Sequence, residues 1–464
     1  MPPRSLRLAA TLALAVAPPV HALHAQPPAA SRDAQRSLEQ AVDSIVRAAG
    51  SIPIEGIAVA VTRGDAVVLE KAYGVADRAR NAKATPATIF EVGSITKQLT
   101  AAAVVRLAEQ RKLGLDDSIG AHLPALADRA RGVTLRHLLS HTSGLSRAWT
   151  VADLTAPSSP RTVVDSLAAR AVEFAPGERY AYNNNGYILL GLVVEKASGM
   201  PYADYVRTAF LQPLGLRSTM PCDAAPAARR AAGYAHATRG PIAATVAPSH
   251  HATVTYSAGL LCSTAGDLAR WQRALATGRV VSAESWKAMA TPVTLASGRP
   301  ARYGLGVEIG AVDGQRYLAH GGATPGFLGE TAYLPDSALG VTVLTNGVYA
   351  GSIVTRLVQT VARQALGLAQ PSIADLPMTA AERARFAGTF DLGPVKLEVY
   401  EQGDHLRAQP PGQVAARLLH QGDGVFVAEH DPALRFRFQV EGERAGTLVI
   451  EQGGRAMPPA KRSS

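Results

Sequence analysis

Cysteine is nearly absent from this chain: Cys222 and Cys262 are the only two in 464 residues, which leaves room for one internal disulfide at most. An oxidising compartment would favour that bridge, closing a loop of about 40 residues for up to about 4 kcal/mol. Two separately buried thiols are the alternative reading, because spacing along the chain carries no Cα separation. Acid is also scarce, with 37 Asp and Glu against 47 Lys and Arg and a formal net charge of +10. The basic residues are spread out, with no dense block to grip phosphates and no basic-aromatic interleaving. That excludes nucleic acid as a partner and leaves the charge as a solvated surface. Only 18% of residues are charged and 47% are apolar, a globular profile that is neither disordered nor fibrous. No long apolar run free of charge and proline follows the first segment, so nothing later spans a membrane.

That first segment carries Arg4 and Arg7 ahead of an apolar run from Leu8 to Val20, then small residues as far as Ala25. A charged head, apolar middle and small-residue cleavage region predict a signal peptide over 1–25. The run is short for a span and is broken by Pro18 and Pro19. We therefore expect a periplasmic or secreted protein without a transmembrane anchor after cleavage, its formal charge lowered from +10 to +8 by loss of the two arginines.

The length predicts two domains. Leu38, Val42, Ile45 and Val46 recur at helical spacing, and the β-prone runs Ile57–Thr62 and Ala66–Tyr73 flank the turn Arg63-Gly64-Asp65. A long buried helix is expected from Ser94 to Leu113, stopped by Gly114. Further helices are expected over Gly186–Ala197 and Asp267–Ala276. Strand-like runs then return at Tyr317–Ala319, Gly329–Leu334 and Val341–Asn346, before a helix over Ile353–Leu366. Strands at both ends of a helical middle predict an α+β domain over 32–367, with one antiparallel sheet built from both ends of the segment. An Ala- and Pro-rich linker, 368–377, leads to short alternating runs such as Lys396–Tyr400 and Arg435–Val440. These predict a small all-β, barrel-like domain over 378–458.

Chemistry concentrates in three places. Ser94 and Lys97 are three apart on a predicted helix, so they share a face, and an amine there can take the proton that a serine hydroxyl must lose to become a nucleophile. Such a lysine must be partly desolvated or beside another cation for its neutral form to be accessible. Tyr182-Asn183-Asn184 precedes the next helix. A tyrosine there can relay a proton and an asparagine can both donate and accept, although Asn is also a common helix cap. His320-Gly321-Gly322-Ala323 follows a β-prone run, and its glycines would let a substrate backbone approach an edge strand.

In order and context these elements resemble the penicillin-recognising serine hydrolases, on the branch of class C β-lactamases, D-alanyl-D-alanine carboxypeptidases, D-aminopeptidases and related esterases. The resemblance spans nearly all of 32–367. It is carried by Phe90-Glu91-Val92-Gly93-Ser94-Ile95-Thr96-Lys97, Arg136-His137-Leu138-Leu139-Ser140-His141-Thr142-Ser143-Gly144-Leu145, and Tyr182-Asn183-Asn184-Asn185-Gly186-Tyr187. Ser263-Thr264-Ala265-Gly266-Asp267-Leu268, His320-Gly321-Gly322 and Gly326-Phe327 complete it. It implies a serine β-lactamase-like fold in which Ser94 is the nucleophile, Lys97 its activating partner and Tyr182 the proton relay. Asn184 would bind substrate and Lys97, and the backbone N–H groups of Ser94 and Ala323 would form an oxyanion hole on the strand opened by His320, Gly321 and Gly322.

The third motif of β-lactamases usually begins with lysine, and here it begins with His320. A neutral imidazole attracts a substrate carboxylate less than an ammonium does. An ester, amide or D-amino-acid peptide is accordingly the expected substrate, with β-lactam turnover and a non-catalytic acylated sensor as the two alternatives. His137 and His141 are four apart but enclose no glutamate, and His250-His251 has no partner cluster, so both pairs read as loops and no metal is expected. No cofactor is called for. The β domain shows no catalytic constellation and is expected to cover an edge of the hydrolase or narrow its cleft.

Overall fold

The computed structural model describes residues 29–49, 55–148, 155–236, 244–248, 251–348, 353–370, 373–393, 396–410, 415–429, 431–452 and 455–463. The expected signal peptide and His250 lie outside them. No described helix is long and apolar enough to cross a membrane.

One seven-stranded antiparallel sheet organises the first domain, and both ends of the segment contribute to it. Its order is Ala82–Lys83, Ala66–Asp77, Gly56–Arg63, Leu339–Thr345, Phe327–Leu334, Gln315–Thr324 and Glu308–Val312. The first hairpin and the late strands meet where Ile57 pairs with Thr345 and Arg63 with Leu339. Period-two alternation divides the strand residues between two cores. Ile57, Val59 and Val61 face the helices Ala29–Ala49 and Ile353–Ala365, joining Val42, Val354, Val358 and Val361. Ala58 and Ala60 face the other way, toward Leu268, Trp271 and Leu275 of the helix Ala265–Ala276. A sheet buried on both faces reads as a near-continuous apolar run rather than a clean alternation.

The helical middle is built around Thr96–Glu109, whose residues from Thr96 to Val105 are all buried. A helix that is sheathed on every side lies inside the domain rather than on its surface. It is shorter than the expected Ser94–Leu113: Gly93–Ile95 forms a 3-10 turn, and the helix ends at Glu109 because Arg111 takes a left-handed φ of 56° ahead of Gly114. The helix Asn184–Ser198 stops as expected at Gly199, which is left-handed at φ 72°.

The C-terminal unit begins with a helix that alternation does not reveal, Ala380–Phe386, capped by a Thr379/Glu382 capping box. Among the described residues nine antiparallel strands follow, and eight of them close into a ring where Asp431–Glu441 pairs with Arg444–Gln452. The strand Ala460–Arg462 lies past Pro458 and completes the ring between Gly388–Asp391 and Arg444–Gln452. Phe386, Phe390, Phe426 and Phe438 fill the interior with ring centroids 5.1–5.5 Å apart.

Cys222 and Cys262 form a disulfide with their Cα atoms 4.8 Å apart. Cys262 lies in the strand Leu261–Ser263, which pairs with both Phe90–Glu91 and Met220–Pro221. The bridge therefore clamps the segment leading into Ser94. Replacing both cysteines by serine is expected to lower the unfolding free energy by about 2 to 4 kcal/mol, read as a fall in the denaturant midpoint; an unchanged midpoint would contradict the clamp.

Candidate active site

Two backbones touch where the nucleophile is presented. Gly93 has φ +49°, and a Cβ there would lie 2.9 Å from the Ala323 carbonyl oxygen and 3.0 Å from the Ala323 nitrogen. A Cβ on Gly322 would lie 2.0 Å from the Val92 carbonyl oxygen and 3.2 Å from the Ser94 nitrogen. Only glycine fits either position. This contact brings the backbone nitrogens of Ser94 and Ala323 to the same spot. The strand Gln315–Thr324 pairs with its outer neighbour only as far as Ala319, so among the described residues its edge from His320 onward has no partner strand on that side.

Ser94 is half-buried. Behind it, Lys97 has no exposure at all. The Lys97 Nζ lies 2.9 Å from Ser94 Oγ and donates to the Ala258 carbonyl at 2.8 Å. The rings of Tyr182 and Tyr187 complete its enclosure at 5.0 Å and 5.6 Å from the amine. Burial holds the Lys97 amine well below the usual lysine range, and the charge of Glu308 offsets this only in part. Tyr182 is driven the other way: burial raises its phenol, against the hydrogen bond with the Ser94 hydroxyl, which lowers it. Burial thus disfavours the charged amine and the charged phenolate alike.

His141 holds Tyr182 in place. It sits at a left-handed φ of 57°, its carbonyl accepts from Ala181 N–H at 2.8 Å, and its Nδ1 accepts from Asn183 N–H at 3.0 Å. The residues on both sides of Tyr182 are therefore tied to one histidine. Its ring lies 4.3 Å from that of Tyr182 and 4.8 Å from that of Tyr303. Burial, then Lys97 and His320, keep His141 well below the usual histidine range, so the ring is neutral. His137, expected in a loop, lies in the short helix Leu135–Leu139, where it completes a capping box with Thr134; His141 follows that helix and is buried in the site.

Asn184 opens the helix Asn184–Ser198 and is half-buried, but among the described residues its amide makes no hydrogen bond to Lys97. It is Ala258, a backbone carbonyl invisible to motif reading, that holds the amine. His320 is only 1% exposed. Its Nδ1–H donates to the Gly321 carbonyl at 2.6 Å and its Nε2 accepts from the Tyr303 hydroxyl at 2.8 Å. Burial and the nearby Lys97 bring its pKa down to about 3. The imidazole is a neutral, buried prop of the strand, and the Gly321 and Gly322 that follow it carry no side chain.

One residue of the site carries no motif signal. Glu308 starts the outermost strand opposite Ala319 and is exposed. It lines a cavity of about 750 Å³ that is shared with Tyr180, Tyr303 and Tyr317. The signal, in retrospect, is Tyr303-Gly304-Leu305-Gly306, a glycine-spaced turn ahead of it. Gly306 is at φ +76°, where a Cβ would come within 2.5 Å of Ala101 Cβ on the buried helix.

A serine, a buried amine and a tyrosine converging on one open strand edge define a β-lactamase-like active-site architecture. The chain belongs to the beta-lactamase family, whose profile matches residues 39–366. It is 30% identical over 289 residues to "Penicillin-binding protein 4*" of Bacillus subtilis (strain 168), covering 59% of this chain and 63% of that protein. It is 28% identical over 326 residues to the "D-aminopeptidase" of Gluconobacter oxydans (strain 621H), covering 68% of this chain and 60% of that protein. The chain thus spans less than two thirds of the length of these curated relatives. Among solved structures, the octameric penicillin-binding protein homologue from Pyrococcus abyssi superposes with a TM-score of 0.66 at 24% identity, covering 91% of this chain and 99% of that one, a likeness of fold.

Removing the His141 ring should free the Tyr182 backbone. For His141→Ala we expect kcat on an activated ester to fall by roughly 10- to 100-fold, the scale of a misplaced catalytic group, while far-UV circular dichroism stays native. A kcat within twofold of wild type would refute the positioning role.

Proposed function

We propose that this protein is an exported serine hydrolase that opens an ester, amide or D-amino-acid peptide bond through a covalent acyl-enzyme on Ser94. The observation that carries this reading is the 2.9 Å contact between a half-buried hydroxyl and a wholly buried amine. In the first half-reaction the Lys97 lone pair takes the hydroxyl proton as Ser94 Oγ attacks the carbonyl carbon. The negative oxygen falls to the N–H groups of Ser94 and Ala323, a donor of this kind contributing about 3 to 4 kcal/mol to transition-state stability. Tyr182, its phenol still protonated, gives a proton to the departing group and is recharged from Lys97. Water then repeats the sequence on the acyl-enzyme and frees Ser94.

Several features favour this substrate class over a β-lactam. His320 is neutral and spent on Tyr303 and Gly321, so the strand offers no fixed cation to a carboxylate. The match to a D-aminopeptidase points the same way. Export is supported by the charged and apolar leader and by a cystine, which persists in oxidising compartments; N-terminal sequencing of the mature protein tests it.

Turnover of short-chain aryl esters, D-alanyl peptides and a chromogenic cephalosporin should rank the cephalosporin last, and Ser94→Ala should abolish all of it. Intact-mass analysis should show an acyl adduct on Ser94 that decays with product release; an adduct that never decays would favour a sensor. Because only the neutral amine is a base, kcat/KM on an uncharged ester should be retained at higher pH and lost as pH falls through the Lys97 ionisation. That acid limb should sit well below the ordinary lysine value of 10.5. A limb near 10, or less than a tenfold loss in Lys97→Ala, would remove Lys97 as the base, since general bases of this kind contribute roughly 10²- to 10⁴-fold.

A further inference from the structure

We propose that Tyr256 and Glu195 are positioning residues that hold the Ala258 carbonyl against the Lys97 amine and so aim the lone pair of that amine at Ser94. The inference rests on the acyl-enzyme reading above and assigns the part of the fold that orients its base.

Tyr256 adopts φ 39° and ψ −134°, a left-handed conformation that side chains disfavour and that glycine visits freely. It opens the turn Tyr256–Ala258, which ends on the carbonyl that accepts from Lys97 at 2.8 Å. A residue in such a conformation persists only where its surroundings over-determine it. Here they do. The Tyr256 hydroxyl donates to Glu195 Oε1 at 2.6 Å, and the same oxygen accepts from the Tyr202 N–H at 3.0 Å. The Ser257 hydroxyl donates to the Tyr187 carbonyl at 2.9 Å, and the Ser257 carbonyl accepts from the Thr100 hydroxyl at 2.6 Å. A glycine admits the turn: a Cβ on Gly191 would lie 2.1 Å from Ser257 Oγ and 2.7 Å from Tyr256 Cε1.

These contacts tie the turn to both helices of the site. Tyr187, Gly191 and Glu195 belong to the helix Asn184–Ser198, which follows Tyr182, and Thr100 stands one turn beyond Lys97 on the helix Thr96–Glu109. Ser257 is secured through its own hydroxyl and carbonyl, whereas the side chain of the strained residue is anchored through its phenol, on Glu195.

Orientation is what the base requires. A neutral amine has two N–H bonds and one lone pair, and it rotates unless a hydrogen bond stops it. The Ala258 carbonyl engages one N–H and leaves the lone pair able to face Ser94 Oγ, 2.9 Å away. Relaxation of Tyr256 would swing that carbonyl aside and misdirect the lone pair, and a small misplacement of a catalytic group costs a large factor in rate. Lys97 serves both half-reactions, so the loss should fall on kcat and leave KM unchanged.

The test measures kcat and KM for p-nitrophenyl butyrate, with melting temperature and the acylation of Ser94 followed on the same samples. Tyr256→Phe keeps the ring, which packs 5.4 Å from that of Tyr202, and loses only the hydroxyl. Its kcat should fall about tenfold, with KM within about twofold of wild type. Glu195→Ala should lose at least as much, and adding Tyr256→Phe to it should cost nothing further. Glu195→Gln should restore the rate, because an amide oxygen can accept both hydrogen bonds. In a Lys97→Ala background, Tyr256→Phe should leave the rate of Ser94 acylation unchanged. A Tyr256→Phe kcat equal to that of wild type, a loss carried by KM, or a Tyr256→Phe effect undiminished in Lys97→Ala would each overturn the proposal. So would a Glu195→Gln as slow as Glu195→Ala, the comparison that decides should Tyr256→Phe fail to fold. A wild type that turns over no ester and forms no adduct on Ser94 would overturn the acyl-enzyme reading itself, and the positioning role with it.

Discussion

A lysine amine shut off from water and resting on a serine hydroxyl is the constraint that the first domain satisfies. Burying an ammonium without a carboxylate in contact is costly, and the least costly escape is to let the proton go. The surroundings of Lys97 fit that escape: a backbone carbonyl, a serine oxygen and two tyrosine rings accommodate a neutral amine, and the charge of Glu308 opposes the loss only in part. The same burial that disfavours charge on Lys97 favours the proton on Tyr182 and strips it from His141 and His320. Three kinds of side chain thus take complementary proton states from a single cause.

Such burial requires the fold around it. The sheet is covered on both faces, and the helix bearing Lys97 is enclosed on every side of its first three turns. Side-chain bulk would hold the helix away from the sheet edge, so the approach is made by glycines. Gly93 and Gly322 close the gap between the nucleophile turn and the strand Gln315–Thr324, and Gly306 does so between the buried helix and the turn leading to Glu308. The cystine fixes the remaining side, where the strand Leu261–Ser263 lies against the segment entering Ser94.

Much of this was legible beforehand, for physical reasons that vary with the element. The sheet built from both ends and the β-rich C-terminal unit follow from hydrophobic periodicity, which is local. The Gly199 stop follows from a conformation that glycine adopts freely. Ser94, Lys97 and Tyr182 were identifiable because a motif fixes residue type and spacing together. What escaped is what depends on partners far along the chain. The Ala258 carbonyl has no side chain to mark it, and Glu308 looks like any acid at the start of a strand. The partners of the His320 ring, Tyr303 and Gly321, turned on which way a side chain faces, and a motif match does not carry that. Helix ends were similarly elusive: Arg111 halts its helix short of Gly114 by adopting a backbone conformation that arginine seldom takes.

The C-terminal barrel has no open seam, and its hollow is occupied by phenylalanine rings. Eight strands enclose about as much space as side chains can fill, so this unit is solid where larger relatives of the architecture are vessels. A greasy molecule cannot ride inside it. Whatever chemistry natural variation explores there is confined to the outward-facing residues and the hairpin tips, where sequence can drift without disturbing the hoop.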